Sequence, residues 1–212
     1  METVTLSPAR LAEGLAFLCA AEPDFARIHT RLGPPPMWAR EPGFPTLVYI
    51  ILEQQVSLAS AKAAFTKLEQ ASAGITPHTF LQFSDEQLKA IGFSRQKAGY
   101  CRGLARAILQ GDLDVEALSR LPDEQVHAAL TGVKGIGPWT ANIYLLMVLL
   151  RPDIWPAGDL ALAIAYQKLK QLPVRPGTLE LAAIADRWRP WRAVAARLLW
   201  HEYLNPPQKL DR

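Results

Sequence analysis

Two features between Leu130 and Leu162 have the residue types and spacing to do chemistry. The first is Gly132-Val133-Lys134-Gly135-Ile136-Gly137, followed by Pro138. A glycine turn of this kind can take a positive φ and lets another molecule approach its backbone closely. If a helix opens directly after it, the first N–H groups of that helix lack internal partners. The positive end of the helix dipole then faces the turn, and together these make an anion site. The natural anion is a phosphate, although the same glycines can also act as plain helix caps. The second feature is Asp159, 24 residues after Gly135, among Trp155, Pro156, Ala157, Leu160 and Leu162. Asp159 precedes "LALAIA" and so can serve as a helix N-cap. Capping leaves the carboxylate open to a second role.

The elements that must position these residues read as helices almost throughout. "SPARLAEGLAFLCAA" has Ser7 as N-cap and Pro8 at the first helical position. "EPDFARIHTRLG" is a short helix ending at Gly33, and "PPPMWAREPGFP" is an extended, proline-rich connector. "TLVYIILEQQVSLASAKAAFTKLEQAS" has helical spacing with no breaker before Gly74, which predicts one long helix. "TPHTFLQF" and "SDEQLKAIG" are short, the latter with a Ser84/Gln87 capping box. "SRQKAGYCRGLARAILQG" ends at Gly111, and "PDEQVHAALTG" runs from Pro122 to Gly132. "PWTANIYLLMVLLRP" starts at Pro138 and stops before Pro152. "DLALAIAYQKLK", "TLELAAIADRWRP" and "WRAVAARLLWHEYLNPP" complete a set of roughly ten helices. Period-2 alternation of useful length is missing, so the class is all-α.

Composition narrows the function classes. At 212 residues, half hydrophobic and a fifth charged, the chain can bury a substantial core as one domain or two lobes. A net charge of +3 permits a nucleic-acid partner without arguing for one. Cys19 and Cys101 are far apart and outside any CxxC pattern, which excludes a Cys-rich zinc or iron–sulfur site and fits a reducing compartment. The N-terminal stretch lacks a basic region followed by an apolar run, and Ile143 to Leu150 is too short to span a bilayer. A cytoplasmic protein without membrane association is expected, nucleoid-associated in a prokaryote.

"LTGVKGIGPWTAN" resembles the helix-hairpin-helix of base-excision DNA glycosylases, and "PAGDLAL" resembles the loop and aspartate completing the helix-hairpin-helix-GPD pattern. "LVYIILEQQVSLASAKA" and "RWRPWRAVAARLLW" resemble the first long helix and the C-terminal helix of the alkyl-base branch, the 3-methyladenine DNA glycosylase II family. Matches extend from about residue 31 to about residue 204. The resemblance implies a two-lobed all-α fold with a cleft between the lobes. Residues 1–42 with 151–212 would form one lobe. Residues 43–150 would form the other, ending in the hairpin motif at about 122–150.

The resemblance also implies roles. Asp159 would stabilise an oxocarbenium-like sugar and orient or deprotonate water. Bifunctional relatives place a nucleophilic lysine two residues past the last hairpin glycine. Here that position is Trp139, which cannot form a Schiff base, so water would be the nucleophile. Trp139 and Trp200 would wall the pocket for an extruded base, with Tyr144 as a further candidate. Indoles attract a purine made cationic by N-alkylation. Gln55, with Gln54 beside it, matches the wedge that fills the gap in the duplex. Glu53 is either a second carboxylate at the pocket rim or an exposed residue. Gly135, Gly137, Lys134 and Thr140 would meet DNA phosphates, although Lys134 stands where the family usually has proline. A structural Na+ or K+ would be held by the backbone carbonyls of Thr131, Val133 and Ile136, with no other cofactor required. Arg95, Lys97, Arg102 and Arg106 share one helix and either face phosphates at its start or are solvated.

The expected function is a monofunctional glycosylase that excises alkylated purines of the 3-methyladenine and 7-methylguanine type from double-stranded DNA in base excision repair. A monomer is expected. A hairpin protein that binds lesions without catalysis and a bifunctional glycosylase/lyase are the competing readings.

Overall fold

The computed structural model describes residues 4–206, and residues 1–3 and 207–212 lie outside the described set. The described residues contain helices and turns and no strand. None of their helices is long and apolar enough to cross a membrane. The chain divides into two compact units. Arg40–Leu149 forms one, and the described residues on either side, 4–39 and 150–206, form the other. The sequence reading placed the boundaries at 43 and 150.

In the split unit, α1 (Pro8–Ala21) starts as its sequence dictates, with Ser7 Oγ accepting from the Arg10 N–H and Pro8 in the first turn. The helix α2 (Pro23–Leu32) ends at Gly33, where φ is +75°. The unit is completed by α10 (Leu160–Leu169), α11 (Thr178–Ala185) and α12 (Arg192–Leu204), with α12 packed against α1, α2 and α10. The centre of α12 is buried on every side from Ala193 to Trp200. It meets α1 closely at Gly14, where a Cβ would lie 2.9 Å from both Trp191 and Val194.

The continuous unit holds α3 (Phe44–Glu53), α4 (Leu58–Ala71), α5 (Pro77–Leu81), α6 (Asp85–Ile91), α7 (Arg95–Gln110), α8 (Asp123–Thr131) and α9 (Pro138–Ile143). The capping box of Ser84 and Gln87 is formed, and Thr76 with Thr79 makes another. The single long helix expected from Thr46 to Ser72 does not form. The chain leaves helical geometry at Gln54, whose ψ is 122°, and Gln55 takes a left-handed φ of +56°. Ser57 then caps a new helix by accepting from the Ser60 N–H. The hairpin's second helix is also shorter than expected. After Ile143 it loosens into one π-helical turn, Tyr144–Val148.

Candidate functional site

The hairpin joins α8 to α9. Of its three glycines only Gly135 adopts a left-handed conformation, with φ at +96°, while Gly132 and Gly137 have φ of −64° and −89°. Gly135 is also sterically required, because a Cβ there would stand 2.1 Å from the Tyr100 ring. Inside the turn, Val133 N–H donates to Leu130 O and Ile136 N–H to Val133 O, and the buried Ile136 side chain anchors the loop. Gly137 is exposed, and a Cβ there would meet nothing within 4 Å, so this stretch of backbone is open to a partner. The N-cap of α9 is Gly137, which makes no side-chain capping bond. Lys134 is exposed. Thr131 Oγ1 donates to His127 O at 2.7 Å.

Thr140 does not offer its side chain for the phosphate role that the resemblance implies. It is 1% exposed, and its hydroxyl accepts from Gln54 Nε2 at 2.9 Å. Gln54 is likewise unavailable as a wedge, because the same Nε2 also donates to Gly135 O at 2.9 Å. Gln55 is exposed at the crest of the left-handed turn. Glu53 is neither exposed nor a free carboxylate. It is 8% exposed and accepts from both Arg40 Nη atoms at 2.8 Å, while Arg40 also lies 5.0 Å from the Tyr49 ring centre. Trp139 is half-buried in the first turn of α9. Tyr144 is fully buried, which raises its phenol pKa to about 12 against a smaller opposite pull from the Gly43 backbone. In this structure Tyr144 is a core residue that presents no ring face to a base.

The four basic residues of α7 divide. Lys97 Nζ donates to Leu52 O at 2.7 Å, capping the end of α3. Desolvation lowers the Lys97 pKa. Arg102 pairs with Asp85 and donates to Phe83 O. Arg95 and Arg106 are exposed.

Asp159 lies in the other unit, at the end of a loop held from below. Arg192 donates to Asp153 through Nε at 2.8 Å, and Arg189 does so through Nη1 at 2.7 Å. Trp155 packs on Trp188 with ring centres 5.4 Å apart, and Trp188 also touches Phe25 and Tyr166. This aromatic floor explains why Trp188, at 1% exposure, is core. Gly158, with φ at +84°, turns the chain into α10. Asp159 Oδ1 accepts from the Leu162 N–H at 3.0 Å as the N-cap, and from the Trp200 indole N–H at 3.2 Å. Asp159 also lines a cavity of about 170 Å³ with Trp155, Ala163, Arg175 and Thr178. Leu160, expected among its apolar neighbours, turns outward.

Trp38 is the residue that sequence reading passed over. It sits in the proline-rich connector with φ at +46°, half-buried, edge-on to Trp200 and to His201 at 6.3 Å each. The neighbouring carbonyl of Met37 accepts from the buried Arg197, which also donates to Ala193 O. Desolvation lowers the Arg197 pKa to about 10, which leaves it a cation at neutral pH. A tryptophan in an extended connector is the only local signal that could have found Trp38.

The family model described as HhH-GPD superfamily base excision DNA repair protein matches residues 48–190. DNA-3-methyladenine glycosylase 1 of Schizosaccharomyces pombe is 31% identical over 77% of this chain and 73% of its own length. A putative DNA-3-methyladenine glycosylase of Bacillus subtilis is 32% identical over 58% of this chain, and the match spans only 43% of that longer protein. The solved S. pombe 3-methyladenine DNA glycosylase in complex with abasic DNA superposes with a TM-score of 0.87 at 27% identity, covering 93% of this chain and 100% of that one. The chain belongs to the HhH-GPD superfamily of base excision DNA repair proteins, within its DNA-3-methyladenine glycosylase family.

Proposed function

We propose that this chain is a monofunctional DNA glycosylase that hydrolyses the N-glycosidic bond of alkylated, positively charged purines in duplex DNA. The observation that carries the reading is the anchored carboxylate: Asp159 fixed by a backbone amide and by the indole of Trp200. Departure of an alkylated purine takes the electron pair of the C1′–N bond, so the cationic base leaves neutral and the sugar becomes oxocarbenium-like. Asp159 stabilises that charge and orients water, which attacks C1′, loses a proton and leaves an abasic sugar. Selectivity follows from aromatic walls, for which Trp200 and Trp139 are the candidates, because an electron-rich ring holds a cationic base more tightly than a neutral one.

The hairpin amides at Gly135 and Gly137, with Lys134, would hold a strand phosphate, and Gln55 would enter the duplex. The carbonyls of Thr131, Val133 and Ile136 are hard, neutral oxygens of the kind that suits Na+ or K+. An alkali ion bound there would add positive charge towards the same phosphate. Trp139 at the position of a Schiff-base lysine supports hydrolysis without strand cleavage. Cys19 and Cys101, both free, fit a reducing compartment.

The test is mass spectrometry of bases released from methylated genomic DNA by wild type and by Asp159→Asn, with duplex binding measured beside it. Wild type should release methylated purines, while the variant binds and releases little. Binding by both with release by neither would instead assign a lesion-binding protein without catalysis. Borohydride treatment on abasic DNA should trap no covalent adduct, and an adduct would overturn the monofunctional reading.

A further inference from the structure

Gln54 occupies a junction that neither the hairpin nor the wedge by itself explains. Its backbone closes α3, and the next residue, Gln55, sits at φ +56°. Both hydrogens of its amide nitrogen go to the hairpin, one to the carbonyl of left-handed Gly135 and one to the hydroxyl of buried Thr140 in α9. Residues 81 and 86 positions along the chain are thereby tied to the turn that carries Gln55. The first turns of α7 brace both partners. Lys97 Nζ holds Leu52 O at the end of α3, and the Tyr100 ring lies directly against Gly135. Tyr100 Oη in turn accepts from Gln96 Nε2 at 2.6 Å.

A left-handed non-glycine residue is strained and persists only where its surroundings over-determine it. Here the over-determination comes from the hairpin. Moving the hairpin therefore moves the Gln55 turn with it, because a part-buried amide can abandon two acceptors only at the cost of leaving them unpaired.

We propose that Gln54 is a positioning residue that registers the duplex-entering turn at Gln55 with the phosphate-holding hairpin, so that gripping the strand and filling the gap left by an extruded base occur as one event. This rests on the readings of Gln55 as the wedge and of the hairpin as the phosphate site. It assigns Gln54 a role apart from filling the gap. A registering residue matters most where a base must be extruded from a stack. A residue that only stabilises the fold weakens every reaction alike.

The experiment compares excision of the same alkylated base from duplex and from single-stranded DNA of one sequence, under single-turnover conditions. Wild type, Gln54→Met, Gln54→Glu and Gln55→Ala would be compared with the Gln54→Met/Gln55→Ala double variant, with melting temperatures recorded. Methionine matches the shape of glutamine without its donors, and glutamate sets a carboxylate against the Gly135 carbonyl. Both Gln54 variants should lower duplex excision about 10-fold or more relative to single-strand excision. The double variant should be no worse on duplex than Gln55→Ala alone, because registration is worthless without the wedge. Equal losses on both substrates, or additive losses in the double variant, would overturn the proposal while leaving the wedge in place. A Gln55→Ala variant with wild-type duplex excision would overturn the wedge reading and the proposal with it.

Discussion

The Trp200 indole N–H and the Leu162 amide converge on one oxygen of Asp159, at 3.2 and 3.0 Å. One bond is the helix cap written into the local sequence, and the other arrives from α12, 41 residues later. Together they hold that carboxylate oxygen in place from two parts of the chain.

Asp159→Asn separates the two roles. Asparagine caps helices about as well as aspartate, so the melting temperature should change little. Loss of the negative charge opposite a developing cation should slow base release by roughly 10²–10³-fold. Calorimetry and single-turnover excision measured on one preparation check both halves, and a large loss of stability would mean that the cap dominates.

Trp200→Phe keeps an aromatic face and removes the N–H. A hydrogen bond to a charged acceptor contributes about 1.5–3 kcal/mol, so excision should fall about 10-fold or more at saturating DNA. Trp38→Ala removes the ring that stands edge-on to Trp200 and should raise the DNA concentration needed for half-maximal excision. Steady-state kinetics distinguishes the two, and identical behaviour of both variants would refute separate roles.

Gly135→Ala meets two obstacles, a φ of +96° and the Tyr100 ring at 2.1 Å. We expect a loss of about 1–3 kcal/mol in urea unfolding and weaker binding to undamaged duplex. Adding Tyr100→Ala should recover only part of the stability, because it removes the ring but leaves the Tyr100 Cβ at 2.6 Å and the backbone strain. Full recovery would show that neither the remaining Cβ contact nor φ costs stability.

Glu53→Gln tests a carboxylate that sequence alone could have placed in the pocket. Its bidentate pair with Arg40 is part-buried, with 21% of the Arg40 side chain exposed. The loss of stability should therefore be about 1–3 kcal/mol, below that of a fully buried pair. Excision per folded molecule should survive at low temperature. Loss of excision with unchanged melting would restore Glu53 as a second carboxylate at the pocket rim.

Burial pushes the Cys101 thiol up beyond its ordinary range, against a smaller opposite pull from Lys97, and it pushes Cys19 up as well. A folded pKa above the unfolded value means that the unfolded chain gives up its proton first as pH rises. Stability should therefore fall as pH climbs through the ordinary thiol range near about 8.5 and above. Thiol titration at pH 8 should find Cys101 unreactive until urea unfolds the chain. Rapid labelling in the folded state would contradict that burial.

What the sequence by itself determined is local. Ser7, Ser84 with Gln87, and Asp159 start helices because a side-chain oxygen reaches an amide three residues on. The clustered glycines of the hairpin and the lone Asp159 could be read because their chemistry lies in residue type and spacing. Tertiary structure decided whatever needed a distant partner. Gln54 to Ser57 has good helical spacing and no glycine or proline, yet the helix breaks there. Gly135 and Thr140 accept the Gln54 amide, and Lys97 takes the Leu52 carbonyl. Those contacts outweigh a propensity difference of a few tenths of a kcal/mol. Glu53 reads as a surface helix residue until Arg40 is brought to it. Trp38 reads as a connector residue until Arg197 pins its neighbour and Trp200 meets its edge. Helix caps are settled within a few residues, whereas the position of a side chain in a functional site depends on which remote groups share its hydrogen bonds.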